Sequence, residues 1–575
     1  MNFDLTRRKF LKITGTSTIL AVTAPTVAAR ILGENQTSNI LWSIGTVNLT
    51  SDEFSGGEKL RIYDVDIDKD PKRWSRTQGA GEPSRIRFSL DEALPAVFAI
   101  EGFMMSHAPN EVYITINGKK GRFRIIPKYK KDADMHQGRE LTHNGFSLRV
   151  PIHPSFLKKG VNEISIIAVG PGVFHYDSLW MERAVKPIDT GLALSVEPTI
   201  FYRNRNGQLF EEVDFIIRHS LPVEKLSFTF QLGAHTVVSN LKESSMADFG
   251  EYSVMMAEVP VSDKPESYTF TVETDKGKNR TTDIFKPEKR WKLFAGLKIH
   301  NDIGFTDYQQ NVEELDARNT DLVLEFVDKF PGYKFNLEVA WLAENYTRLR
   351  TSPRVEELMG LVRDNRVGIG AFYLNLPTSV CDGEELYRAL YSSATLRRTH
   401  NVPVDTACLV DIPSQCWSVP SYLADAGVKG FAIASNQHRG PLLMYSNLNE
   451  NSPFYWEGPD GQRVISFFSR SYRNADRLFS TSPTLDKSRQ GIVQVLARYR
   501  REDYAPDAFY LFGQTGDNAV MRDSSVKAII DWNAVYEYPK FVFATDTDYF
   551  DYIEKNFADK LPVFRGDGGA YWADA

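Results

Sequence analysis

Cysteine is scarce in this 575-residue sequence: Cys381, Cys408 and Cys416 are the three present, widely spaced and all in one region. That number and spacing exclude a disulfide framework and a CxxC zinc ribbon, leaving buried or incidental thiols. No apolar run of about 20 residues occurs, so no mature segment is expected to span a membrane. Basic charge is not in excess either. With 68 basic against 74 acidic residues and a formal charge of −6, the footprint of a nucleic-acid partner is missing. There is no Walker A loop, no Rossmann fingerprint after a strand, no GxSxG and no HExxH. What is present looks globular: 42% hydrophobic and 25% charged residues exclude global disorder and fibrous repeats. The length allows roughly three or four domains. Aromatics reach 12%, with 9 Trp, which suits sugar stacking and equally suits β-rich cores.

The N-terminus reads Thr6-Arg7-Arg8-Lys9-Phe10-Leu11-Lys12, followed by a weakly apolar stretch over 13–27 and then Ala28 and Ala29. A basic start, a short apolar middle and a small-residue end describe an export signal. The paired arginines before Phe-Leu-Lys resemble the twin-arginine type. Gly, Thr and Pro over 14–26 argue against a stable helix. Residues 1–29 are therefore set apart as a signal peptide. Their Arg7, Arg8, Lys9 and Lys12 against Asp4 leave the remainder more acidic than the whole. The expectation is a bacterial protein exported by the twin-arginine route, periplasmic or extracellular.

Residues 38–186 show short apolar alternations between turn signals such as Asn117-Gly118 and Lys159-Gly160, which predicts a β jelly-roll or sandwich, with the jelly-roll taken as the expectation. Residues 187–287 continue in strands, at a length suited to an immunoglobulin-like β-sandwich. A polar linker, Lys286-Pro287-Glu288-Lys289-Arg290, follows. From Trp291 the pattern changes. Apolar runs at 293–299, 335–341, 367–376, 406–410, 430–434, 464–468, 508–512 and 541–544 alternate with helical patterns, among them 312–330, 355–366, 384–398 and 524–532. Strand–helix alternation with doubly buried strands predicts a parallel sheet, and about eight strands in about 285 residues is barrel-sized. Residues 291–575 are thus expected to form an α/β barrel-like (β/α)7-8 domain.

In such a barrel the catalytic side chains sit at the C-terminal ends of the strands. The first run ends Lys298-Ile299-His300-Asn301-Asp302, the second carries Glu338 and Trp341, and the fourth ends in Asp411. A later run ends Gly513-Gln514-Thr515-Gly516-Asp517, and the last is followed by Asp546. His-x-Asp in extended chain points both side chains the same way, a metal half-site. A satisfied His beside a structural Asp gives the same pattern. Asp411 and Asp517 supply a carboxylate pair of the kind glycoside hydrolysis needs, although an Asp after a strand can equally cap a helix.

These residues resemble glycoside hydrolase family 38, the zinc-dependent retaining α-mannosidases and their bacterial relatives. His300-Asn301-Asp302-Ile303-Gly304-Phe305-Thr306 resembles the opening His-x-Asp zinc motif. Leu409-Val410-Asp411-Ile412-Pro413-Ser414, with Ala426-Gly427 and Gly430-Phe431 after it, resembles the strand ending in the nucleophile. Tyr510-Leu511-Phe512-Gly513-Gln514-Thr515-Gly516-Asp517-Asn518 resembles the segment with the acid/base, and Trp456-Glu457-Gly458-Pro459-Asp460-Gly461 the approach to a barrel strand. The resemblance covers about residues 291–575. It implies that His300, Asp302 and Asp411 bind Zn²⁺, that Asp411 is also the nucleophile, and that Asp517 is the acid/base. Trp341 or Trp456 could stack on sugar faces, with core packing as the other role for either.

Two departures stand out. Ile412-Pro413-Ser414-Gln415-Cys416-Trp417 replaces the family's Pro-Phe-Gly-His, which points to a drift in specificity from mannose. The fourth zinc ligand, a His, lies in the family beyond a stretch resembling 565–574, and no His follows His438 here. That ligand is therefore expected beyond Ala575 unless His438 or His400 replaces it, with weak zinc binding by this chain alone. In the first domain, Trp42-Ser43-Ile44-Gly45-Thr46, the 161–167 run and Tyr176-Asp177-Ser178-Leu179 resemble the carbohydrate-binding-like terminal domain of rhamnogalacturonan lyases. That likeness implies a jelly-roll in either a sugar-binding or a structural role. The leading expectation is an exported zinc-dependent retaining α-glycosidase acting on an oligo- or polysaccharide. The alternatives are a carbohydrate-binding protein with a silent barrel, and a polysaccharide lyase.

Overall fold

The structure, a computed structural model, describes residues 39–44, 61–63, 84–104, 110–125, 145–169, 174–223, 226–241, 247–261, 264–275, 277–412, 415–435, 448–469, 471–479, 484–513 and 516–568. The expected signal peptide, Pro413-Ser414, His438, Gln514-Thr515 and the end of the 565–574 stretch lie outside the described residues. No described helix is long and apolar enough to cross a membrane.

The chain is multidomain and rich in strands. A four-stranded antiparallel sheet orders Ile40–Ile44, Phe174–Arg183, Ala96–Met104 and Gly145–Ile152. It packs on half of an eight-stranded sheet, burying Phe98, Ile100, Val150 and Leu179 against Ile86, Ile114, Ile164 and Ile166. The other half of the long sheet, Ala193–Arg205, Gln208–His219 and Phe249–Pro260, faces a second four-stranded sheet. There Leu226–Leu232 alternates strictly, so Phe228 and Phe230 point inward with Phe270 and Val272 onto Phe215. Side-chain period 2 puts every second residue in the core.

Two hydrophobic cores thus share one sheet, joined where Phe249 and Gly250 pair in parallel with Gly121 and Arg122. Gly250 has φ 105°, and a Cβ there would lie 2.2 Å from the Arg122 carbonyl oxygen. Only glycine permits that crossing.

From Lys292 the strands turn parallel and alternate with helices. Lys292–Gly296 lies between Ala508–Phe512 and Lys540–Phe543. Phe335–Leu337 pairs with Val367–Ile369. A five-stranded sheet orders Thr406–Asp411, Gly430–Ser435, Arg463–Ser469, Phe454–Glu457 and Val563–Arg565. Single bonds bridge these groups: Asn336 N to Leu297 O at 2.9 Å, and a parallel bridge between Gly370 and Thr406. Among the described residues no ladder joins Arg463–Ser469 to Ala508–Phe512; the Asn474 side chain accepts from Phe512 N at 2.6 Å instead.

Several expected elements are redrawn. The run 335–341 is strand only through Leu337, and Ala340–Leu349 is helix, because Ala340 N and Trp341 N turn to the Phe372 and Tyr373 carbonyls. The 384–398 helix is two, Gly383–Arg388 and Tyr391–His400. Phe454–Glu457, antiparallel to its neighbour, and Val563–Arg565 are further strands.

The second β unit meets the parallel half through buried charge. Arg489 donates to Glu212 Oε2 at 2.6 Å and to the Tyr536 hydroxyl at 2.7 Å, and its guanidinium stacks 3.9 Å from the Phe201 ring centre. Beside it Glu211 is fully buried; Oε1 accepts from Glu288 N at 3.0 Å, and Oε2 has no hydrogen-bond partner. Burial pushes this carboxyl up to about 8, against the pull of the Glu288 amide. Its folded value lies above its unfolded one. Its contribution to stability is therefore complete below about pH 4.5 and is lost as pH rises toward about 8. The thermal midpoint of the parent is expected to fall between about pH 5 and pH 8 relative to Glu211→Gln, which keeps the shape and removes the proton. Parallel midpoint–pH curves for the two proteins would reject this assignment.

Candidate functional site

Lys298, His300 and Asp302 follow the opening parallel strand at spacing two, which places their side chains on one face of extended chain. Thr406–Asp411 brings Asp411 to the same end. One ligand atom each from His300, Asp302 and Asp411 lie within 4.8 Å of one another. His300 Nε2 is 3.3 Å from Asp302 Oδ1 and 3.8 Å from Asp411 Oδ2. On the other side of the ring, Nδ1 meets Glu338 Oε1 at 3.0 Å. Asp411 has φ 69°, a left-handed conformation that Asp tolerates at a cost of about 1 kcal/mol.

The surroundings are strongly polarised. Burial works against an imidazolium, yet Glu338 and Asp302 outweigh it and hold His300 well above the usual histidine value. Asn301, pointing the other way, donates to the buried Asp316 at 2.6 Å. Burial first, and then the Glu338 charge, push Asp316 up to about 7. Tyr472 packs 4.9 Å from the His300 ring centre and donates to Asp517 Oδ1 at 3.0 Å. Burial, then Asp411 and Asp517, raise this phenol, so it remains a donor. Below the triad Lys298 Nζ binds both Asp546 oxygens, at 3.1 and 3.0 Å, with Tyr510 donating to the same carboxylate. Burial opposes the ammonium, but Asp546 holds Lys298 well above its usual value.

The residues fit a cation. His300 Nε2 is buried, makes no hydrogen bond, and faces two carboxylates. One imidazole nitrogen with carboxylate oxygens is a donor set that zinc and its neighbours accept. Among the described residues the group has three members, and His400 is not one of them. It ends the helix Tyr391–His400, with its carbonyl held by Arg363.

His300, Asp302 and Asp411 are therefore brought together, and Asp517 reaches them through Tyr472. The tryptophans are not part of this group. Trp456 is fully buried, with Phe431 parallel at 6.0 Å, Phe468 edge-on at 5.6 Å, and its Nε1 bonded to Gly566 O. Trp341 is 8% exposed on the inner face of Ala340–Leu349. Both rings belong to the buried hydrophobic cluster, the core-packing role that the sequence also allowed. Glu338 stood out in the sequence as a polar strand-end residue, and the structure gives it His300 as a partner. Sequence reasoning missed two contributors that carried no signal of their own: Tyr472, and Asn375, which donates to Glu338 Oε1 at 2.6 Å.

Residues 290–567 match the family model described as glycosyl hydrolases family 38 N-terminal domain. Among solved structures the chain is similar to an α-mannosidase from Enterococcus faecalis V583, at 17% identity and a TM-score of 0.41 over 48% of this chain and 31% of that one. It is similar to a glycosyl hydrolase family 38 protein from Enterococcus faecalis, at 18% identity and TM-score 0.36 over 48% and 29%. A 4-α-glucanotransferase from Thermococcus litoralis follows, at 15% identity and TM-score 0.31 over 48% and 39%. The matched region thus spans about a third of the two Enterococcus proteins. No curated protein matches the chain.

The buried ion pair under the triad makes a direct prediction. Lys298→Met leaves Asp546 charged and without its cation, which should cost roughly 3–5 kcal/mol in urea unfolding. Lys298→Met with Asp546→Asn should recover most of the loss. A single variant within about 1 kcal/mol of the parent would contradict this account.

Proposed function

We propose that the chain is an exported, zinc-dependent retaining α-glycosidase of the α-mannosidase type, acting on an oligo- or polysaccharide. The observation that carries it is the convergence of His300, Asp302 and Asp411, with Nε2 of the histidine buried and facing the two carboxylates. The family match over 290–567 supports the same reading. His300, Asp302 and Asp411 would hold the ion, which when bound supplies a Lewis-acidic positive charge for sugar hydroxyls.

The chain's own residues then divide the chemistry. Asp411 attacks the anomeric carbon as the glycosidic C–O bond breaks, and Asp517 protonates the departing oxygen. The product of that step is a glycosyl ester on Asp411. In the second step Asp517 takes a proton from water, the water oxygen bonds to the anomeric carbon, and the ester bond breaks. Two inversions retain configuration. The Tyr472 hydroxyl donates to Asp517 Oδ1 and orients that carboxylate.

In the same reading the parallel half is a (β/α)7-8 barrel. The first β unit is a carbohydrate-binding-like jelly-roll and the second an immunoglobulin-like sandwich. Export follows the twin-arginine route.

Aryl α-mannosides and other aryl α-glycosides, each with added zinc and with a chelator, test the proposal. Turnover that needs zinc and yields the retained anomer is expected, with Asp411→Asn and Asp517→Asn each losing about 10²-fold or more in kcat/KM. Sugar binding that survives Asp411→Asn, with no cleavage at any enzyme concentration, would replace the reading with a silent binding protein. An unsaturated, ultraviolet-absorbing product from a uronic-acid polymer would replace it with a lyase.

A further inference from the structure

We propose that Asn375 is a positioning residue that couples the histidine ligand to the strand bearing Asp411; this deepens the metal-site reading above and rests on it. Among the described residues the parallel sheet has a gap beside Thr406–Asp411. Val367–Ile369 is short, and its continuation touches Thr406–Asp411 only at its base, where Gly370 bridges Thr406 and Ala371 N donates to Thr406 O at 2.9 Å. The chain then leaves the sheet, since Phe372 O accepts from Ala340 N and Tyr373 N donates to Ala389 O. Among the described residues no ladder partner flanks the upper part of Thr406–Asp411 on that side.

Asn375 returns to the gap. Its Oδ1 accepts from Val410 N at 2.8 Å, while its Nδ2 donates to Glu338 Oε1 at 2.6 Å. Only this orientation of the amide satisfies both partners, because a backbone N–H must meet oxygen and a carboxylate must meet N–H. The same Glu338 oxygen meets His300 Nδ1 at 3.0 Å. One planar amide therefore ties the histidine's outer partner to the N–H of Val410, the residue before Asp411, and Asp411 itself has φ 69°. A carboxylate that accepts from Nδ1 leaves Nε2 free for a cation, and such outer partners commonly tune metal affinity about tenfold to a hundredfold. Glu338 Oε2 is buried without a hydrogen-bond partner, so the Asn375 amide is the second hold on the rotation of that carboxylate.

The experiment measures Zn²⁺ and Co²⁺ affinity, and hydrogen exchange at the Val410 amide, for the full chain and three variants. Asn375→Ala is expected to weaken metal binding about tenfold or more and to speed Val410 exchange by a similar factor. Glu338→Gln should weaken metal binding while leaving Val410 protected, because the bond to Asn375 Oδ1 survives. The double variant should bind metal no more weakly than Glu338→Gln alone, since Asn375 acts on the ligand through Glu338. Additive losses in the double variant would overturn the coupling, as would parent-like affinity and exchange in Asn375→Ala. If Asn375→Ala does not fold, Asn375→Ser replaces it in the cycle. If the parent binds neither ion saturably, the metal reading falls, and the exchange measurements still decide whether Asn375 holds Val410.

Discussion

Negative charge gathered around one buried imidazole is the constraint on which the site depends. Asp302, Asp411 and Glu338 all lie within 4 Å of a His300 nitrogen. At an effective dielectric of about 20, two unit charges 4 Å apart interact by about 4 kcal/mol, so three carboxylates cannot share this space uncompensated. The nearest lysine does not resolve the conflict. Lys298 is bound by both oxygens of Asp546, and that pair balances itself. Asp316, close enough to feel Glu338, is pushed toward its protonated form. Positive charge must therefore reside at His300 or beside it. That requirement is met either by an imidazolium or by a cation on Nε2, and it explains why the histidine sits where three acids converge.

Holding that arrangement requires a sheet that is locally incomplete, and asparagine completes it. An asparagine side chain carries one carbonyl and one NH₂, so it can stand in for a missing peptide partner. Asn375 does so for Val410, and Asn474 for Phe512. Asn336 bonds the Leu297 and Ala544 carbonyls and accepts from Asp546 N. Asn518 both accepts from Asp302 N and donates to Asp302 O. These contacts cluster at strand ends, where the backbone departs from regular pairing to present Asp302, Asp411 and Asp546. A regular ladder would have satisfied the same groups but would have flattened the ends that carry the acids. At Gly296 a side chain would collide with Tyr510, whose hydroxyl would be 2.0 Å from a Cβ, so the donor to Asp546 also depends on a bare backbone.

What could be read from the sequence follows from how local each signal is. The 508–512 run is strand residue for residue, and His300-x-Asp302 is an i, i+2 pattern that needs no tertiary knowledge. The 335–341 run misleads because Val339, Ala340 and Trp341 continue an apolar stretch across a change of period from strand to helix. Phe454–Glu457 and Val563–Arg565 are too short to declare themselves, and exist because neighbours offer edges. Trp456 and Trp341 look alike as core or as sugar platforms, since aromatic composition cannot separate the two. Tyr472 and Asn375 lie outside regular strands, and their roles arise from approaches of 45 and 37 residues in sequence.

The placement of the β units argues for a role other than lid. Their contacts with the parallel half, and those of the linker, fall on residues that precede its strands: Tyr202 pairs with Tyr538 ahead of Lys540–Phe543, and Lys289 of the linker bonds the Tyr504 and Pro506 carbonyls ahead of Ala508–Phe512. Arg489 and Tyr536 extend this seam onto the flanking helices. The acids stand at the opposite, C-terminal ends, so the two faces are separated by the length of the strands, roughly 15 Å for five residues. Among the described residues the β units contribute no side chain to the triad. They can alter it only through the strands they anchor.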